Sequence, residues 1–225
     1  MSADLWIFGY GSLMWRPEFP FMERVRATVA GYHRSFCVRS THHRGTPARP
    51  GLVLGLDRGR SCLGVAYRIA PEHWALTVGY LRERELIYGV YREAHVRATL
   101  AGNPHREIEV LAFIVERAHP SYAGRLPLAR QALLIRGARG ISGDNLDYLI
   151  NTVRHLQALA IRERDIERLV GLAGAVAARD GSDRLARPGV AALRKAWSRT
   201  PCSISPVPPG DQRRFGHRLR LGQGG

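Results

Sequence analysis

Hydrophobic positions divide this chain into two stretches with different periods. Up to about residue 115 they alternate or form short apolar blocks, the pattern of strands. LWIF (5–8) is an apolar run that ends in Gly-Tyr-Gly, so a strand enters a loop. Over 24–39, Val25, Ala27 and Val29 alternate, and Phe36 and Val38 follow after Gly31. Residues 52–56 and 62–69 flank Asp57-Arg58-Gly59-Arg60, which predicts a hairpin. Residues 91–100 and 107–116 flank Ala101 to His105 and predict a second. Between them, Pro71 suits the first position of a helix running to about Arg84. Trp74, Ala75, Val78 and Leu81 give that helix its apolar spacing.

The remainder reads as helical. A short helix is predicted over 127–136, after Pro127. Asp144 is a suitable N-cap for a helix to about Leu159, striped by Leu146, Leu149, Ile150, Val153 and Leu156. A further helix over 163–178 carries Ile166, Leu169, Val170 and Val176. Beyond 180 the periodicity ends and Pro, Gly and Arg dominate. These elements predict a folded domain over 1–180 and a C-terminal extension over 181–225, mobile from about 200. Strands followed by helices, without regular alternation, indicate an α+β protein with a curved or closed sheet covered by helices. A doubly wound nucleotide-binding fold is not expected.

With 225 residues the chain is large enough for one substantial core. Its 45% hydrophobic and 24% charged fractions are those of an ordinary globular protein. No apolar run is long enough to span a membrane. The start, MSADLWIF, has an early Asp4 and no basic segment, so a secretory signal is not expected and the cytoplasm is the expected location. The net charge of +15 raises nucleic-acid binding. The cations are almost all Arg, with Lys195 the single Lys, and they are scattered except near the C-terminus. Specific nucleic-acid binding is therefore not expected, and an acidic small molecule fits the charge equally well. Cys37, Cys62 and Cys202 are odd in number, match no zinc or redox spacing, and read as reduced thiols.

Four segments could carry chemistry. FGYGSL (8–13) places two glycines around Tyr10 directly after a strand, which allows backbone N–H groups to converge on an anion. It lacks the third Gly of the dinucleotide fingerprint and the Lys of a Walker loop. Ser12 lacks the flanking glycines of a nucleophile elbow. Glu85 stands at the predicted helix end, where the helix dipole disfavours a negative charge and makes it a plausible general base. Glu83 points elsewhere on that helix. Arg39 to Gly45 holds His42 and His43, but no nearby acid completes a metal-ligand set. A loop offering cationic and polar contacts to an acidic ligand is the better reading. His119-Pro120-Ser121-Tyr122 is a turn presenting a phenol.

Taken in order, WIFGYGSLMW (6–15), STHHRGTPARPG (40–51), GVAYRI (64–69), the segment from Tyr80 to Tyr91, HPSY (119–122) and SGDNLDYL (142–149) resemble the ChaC-like γ-glutamylcyclotransferases. The similarity covers about residues 5–175. The resemblance implies a small mixed β-barrel with flanking helices and cleavage of glutathione to 5-oxoproline and cysteinylglycine. It implies that Ile7, Phe8, Gly9, Tyr10, Gly11, Ser12 and Leu13 cradle the substrate, that Glu85 is the catalytic acid/base, and that Tyr122 lines the pocket. The alternatives are a cyclotransferase of the same fold acting on other γ-glutamyl amines or amino acids, and a non-catalytic anion- or nucleic-acid-binding module. Ring closure by the substrate's own α-amine is intramolecular, so no metal and no cofactor is expected. No membrane partner is expected, and the oligomeric state is not specified by these residues.

Overall fold

The computed structural model describes residues 5–86, 88–102 and 106–179. The expected extension over 181–225, with its mobile tail, lies outside the described residues, as do Cys202 and residues 103–105 of the second predicted turn.

Five strands close into a barrel: β1 (Leu5–Gly9), β2 (Glu23–Ser40), β3 (Gly51–Ile69), β4 (Tyr91–Leu100) and β5 (Glu107–Val115), in the order β1-β3-β2-β4-β5. Neighbours pair antiparallel except at the seam, where β1 meets β5 in parallel at Ile7 and Leu111. Four helices accompany the barrel: α1 (Pro71–Glu85), α2 (Leu128–Arg136), α3 (Asn145–Ala158) and α4 (Arg164–Arg179). This is the expected α+β class, with a mixed barrel. Among the described residues, no helix is long and apolar enough to cross a membrane.

Alternation accounts for the barrel core. Phe36 from β2, Leu52, Leu54 and Leu56 from β3, and Phe113 from β5 are buried in one cluster with Trp6, Ile7 and Phe8. The stripe of α3 joins the same cluster through Leu149, Ile150, Val153 and Leu156, and α4 joins through Ile166, Leu169 and Val170. A side chain such as these stabilises by roughly 1.5–3 kcal/mol when fully buried. On α1, Val78 and Leu81 are buried as expected, but Thr77 takes the inner position and Ala75 is exposed. Asp144 occupies the N-cap of α3 without making the expected side-chain cap bond; its carboxylate lies 3.7 Å from Arg139.

The first predicted hairpin is replaced by a continuous strand. β3 runs through Asp57-Arg58-Gly59-Arg60 and pairs with β2 on both sides, with Tyr32 opposite Arg58 and Val29 opposite Cys62. The turn residues form a bulge instead. Gly59 has φ +115° and Arg60 +54°, and the register shifts across Gly31, itself at φ +80°. A bulge bends and twists its ribbon, which helps the sheet close. Asp57 is also engaged elsewhere: it accepts hydrogen bonds from Arg117 Nε at 2.7 Å and Tyr122 OH at 2.8 Å. The true connection between the two long strands is the segment 41–50.

Candidate active site

At one end of the barrel the chain leaves β1 through Tyr10 and Gly11 and makes a single 3-10 turn, Ser12–Met14. That turn has no side-chain cap, so its leading N–H groups remain available to a ligand. It borders a cleft of about 870 Å³. Tyr10 to Leu13 form one wall, the end of α1 with Arg84 and Glu85 a second, and residues 38–44 with Tyr148 a third.

The expected cradle therefore divides. Tyr10, Gly11, Ser12 and Leu13 line the cleft. Ile7 and Phe8 are fully buried in the core, and Gly9 pairs with Val65, so these three support the loop from below. The loop is fixed from inside the barrel by Arg34, whose side chain is 0% exposed. Its Nε donates to the Tyr10 carbonyl, its Nη2 to the Leu63 carbonyl at 2.8 Å, and its Nη1 to Glu163 Oε1 at 2.5 Å.

Glu85 is the last residue of α1, and its side chain is 18% exposed at the cleft wall. Burial pushes its carboxyl above the ordinary range, and the neighbouring Arg84 partly offsets this. The cause is thus mainly desolvation, where the sequence pointed to the helix dipole. Glu83 also borders the cleft but is exposed.

Three phenols line the same cleft as the carboxylate. Tyr10 and Tyr91 are held well above the usual tyrosine range by burial, with the charge of Glu85 adding to it. Burial pushes Tyr148 up to about 12. All three remain protonated at neutral pH; Tyr91 OH donates to the Leu54 carbonyl at 2.7 Å.

Tyr122 is placed differently from its expected role. Its hydroxyl donates to Asp57, while the adjacent Ser121 borders the cleft. His42 and His43 reach the cleft rim, as a loop contacting an acidic ligand would. His43 Nδ1 lies 3.0 Å from Ser142 Oγ. Burial, then His42 and Arg44, lower the His43 pKa, so its ring is neutral at physiological pH. Among the described residues, no group of three or more His, Cys, Asp or Glu is placed to hold a metal ion.

Sequence reasoning assigned no role to Arg84, Tyr91 or Tyr148. Arg84 is the most connected of these. Its guanidinium donates to Ser12 Oγ at 2.8 Å, Tyr80 OH at 2.8 Å and the Arg16 carbonyl at 3.0 Å. Its position directly before Glu85 was the one available signal. Tyr148 stands beside the apolar stripe of α3, where a tyrosine would ordinarily be read as packing.

One cleft therefore brings together an uncapped turn, a desolvated carboxylate and protonated phenols. Residues 5–179 match the ChaC-like protein family. The chain is 35% identical over 190 residues to the glutathione-specific γ-glutamylcyclotransferase of Escherichia coli, covering 84% of this chain and 81% of that protein. It is 36% identical over 174 residues to the human glutathione-specific γ-glutamylcyclotransferase 1, covering 76% and 78%. The crystal structure of the yeast γ-glutamylcyclotransferase specific to glutathione has the same fold, with a TM-score of 0.69 at 24% identity over 77% of this chain and 99% of that one. On the match over residues 5–179 and these relatives, the chain belongs to the ChaC-like family.

Proposed function

We propose that this protein cleaves glutathione to 5-oxoproline and cysteinylglycine. The observation that carries the reading is the desolvated carboxylate of Glu85 in the same cleft as the amide-bearing turn of Tyr10 to Leu13. The relatives named for this activity support it.

The turn holds the α-carboxylate of the γ-glutamyl group with backbone N–H groups. This orients the α-amine toward its own γ-carbonyl carbon. Glu85 accepts the proton that the ammonium must lose. The amine nitrogen then forms the new C–N bond of the five-membered ring. The old bond to the cysteine nitrogen breaks, and Glu85 returns the proton to that leaving amine. As the ring closes, its nitrogen sheds a second proton and the leaving amine takes up a second to become the ammonium of cysteinylglycine, so protons balance; no water, cofactor or covalent enzyme intermediate takes part. The upward shift of the Glu85 carboxyl suits both tasks, because it moves the group toward the working pH, where a base gains and loses a proton more readily. Holding two groups of one molecule in attack geometry supplies much of the acceleration; effective molarities reach about 10⁵–10⁸ M in favourable cases.

The reaction takes place in the cytoplasm, where glutathione is abundant as the reduced thiol. The free, buried thiols of Cys37 and Cys62 fit that setting. The experiment is 5-oxoproline release from glutathione and from γ-glutamyl-alanine. Release from glutathione with little from γ-glutamyl-alanine is expected. The opposite preference would indicate a cyclotransferase for other γ-glutamyl compounds, and no release from either would remove the enzymatic reading.

A further inference from the structure

The acids bordering the cleft are confined to one side, where Arg16 and Arg84 pair with two of them. These acids, Glu18, Glu83 and Glu85, stand on the side of α1 and the loop that follows the 3-10 turn. The opposite lip, formed by residues 39–44, carries Arg39 and Arg44 and no acid. Arg44 is half-buried, with its guanidinium 5.2 Å from the ring centroid of Tyr148. One N–H donates to the Asp144 carbonyl at 3.3 Å. Among the described residues, no carboxylate forms an ion pair with it; that of Asp144 lies against Arg139. A guanidinium has five N–H donors, so most of its fork remains free to meet a planar anion.

The segment that presents Arg44 is fixed. Its backbone N–H donates to Ser40 Oγ at 3.0 Å. Gly51 passes so close that an added Cβ would lie 2.2 Å from the Arg44 carbonyl oxygen. On the other side, two short strands, β6 (Arg139–Gly140) and β7 (Gly143–Asp144), bring the turn between them onto the loop. There the Ile141 and Ser142 N–H groups donate to the His42 and His43 carbonyls, both at 3.0 Å. Arg44 is thus a preorganised cation facing the cleft.

We infer that Arg44 binds the C-terminal carboxylate of the departing dipeptide and makes the enzyme selective for γ-glutamyl peptides that carry one. The inference rests on the cyclotransferase reading. With the γ-glutamyl end at Tyr10 to Leu13 and the scissile bond at Glu85, the two residues that leave extend by about 7 Å. The ring of Tyr148, on which Arg44 sits, lines the same cleft as Glu85. A carboxylate reaching Arg44 meets a cation already seated on an aromatic face and partly removed from water.

The test compares glutathione with its C-terminal glycine amide, in the parent and in Arg44→Gln. In the parent, kcat/KM should fall about 10- to 100-fold from glutathione to the amide, the scale of one charge-assisted pair. Arg44→Gln should lose a similar factor on glutathione and less than about threefold on the amide. Equal losses on both substrates would mean that Arg44 acts only on the fold, and would overturn the inference; so would no loss on either. Calorimetric binding of S-methylglutathione and its glycine amide to Glu85→Gln, with and without Arg44→Gln, should repeat the pattern without turnover. A carboxylate-dependent binding difference in a parent that releases no 5-oxoproline would uphold the subsite while removing the catalytic reading.

Discussion

Arg84 joins Ser12 to Glu85: its Nη2 donates to Ser12 Oγ at 2.8 Å, and its Nε stands 3.3 Å from Glu85 Oε1. One guanidinium therefore holds the turn at Ser12 and the carboxylate of Glu85 in fixed relation. Removing it has two effects. The turn loses its tether, and Glu85 loses the cation that opposes its upward shift. Arg84→Met should lower kcat/KM by about 10- to 100-fold. The acid limb of its pH profile should move to higher pH, because the base must be ionised and now ionises later. Arg84→Lys should restore part of the limb. An unmoved acid limb in a folded Arg84→Met protein would show that the contact is only structural.

Glu85→Gln should lose about 10²–10⁴-fold in turnover, while Glu83→Gln, at an exposed position, should change little. The same substitution reports on stability. Burial raises the folded-state pKa of Glu85, so ionisation favours the unfolded chain. Its neutral form contributes fully below the unfolded value of about 4.3, and that contribution is lost as pH rises through the folded value. Glu85→Gln should accordingly melt higher than the parent at pH 7, with the difference closing toward pH 4. Thermal melts across this range measure it.

Ser12 accepts a hydrogen bond from Arg84, and among the described residues no base is hydrogen-bonded to its hydroxyl, which favours a substrate-contacting role over nucleophilic attack. Ser12→Ala should cost about 10-fold or less in kcat/KM. Mass spectrometry of the parent during turnover should find no acyl adduct; an adduct on Ser12 would replace intramolecular attack with nucleophilic catalysis.

Asp57 is 5% exposed. Its burial alone would raise the carboxyl pKa, but Arg117, Tyr122 and the Arg58 N–H hold it below the ordinary range. A carboxyl depressed in the folded state contributes its stability above the unfolded value of about 3.9 and loses it as pH falls through the folded value. Asp57→Asn should cost about 1–3 kcal/mol at pH 7, with the gap narrowing below about pH 4. Denaturant melts at the two pH values provide the comparison.

The family match ends at residue 179, which supports placing the catalytic unit within residues 1–180. Truncation after Thr200 should leave glutathione turnover within about twofold, since the residues removed lie outside the family match. A folded but inactive truncated protein would move the boundary toward the C-terminus.

Helices α3 and α4 were legible in the sequence because each carries an apolar stripe that joins the core, as Leu149, Val153 and Leu156 do on α3 and Ile166, Leu169 and Val170 on α4. Glu85 and the loop after β1 were legible because a strand end and a helix end locate them. The hairpin at Asp57 was misread because turn chemistry is local, whereas β2 is long enough to pair with both halves of β3. The roles of Arg84 and Tyr148 were hidden for a related reason. Each looks like an ordinary member of its helix until the fold brings Ser12 or Arg44 against it. Tyr122, a candidate for the pocket, instead completes the set of donors around Asp57.

Arg34 and Glu163, which meet beneath the loop, are 129 positions apart in sequence. The carbonyl of Tyr10 is oriented by a cation whose counter-charge arrives only when the chain has been made through the start of α4. During synthesis, every strand of the barrel emerges from the ribosome before that counter-charge exists. A nascent chain can thus complete its sheet while the loop after β1 still lacks its final anchor. The loop after β1 therefore gains its last anchor from the C-terminal part of the fold, after the whole barrel has been made.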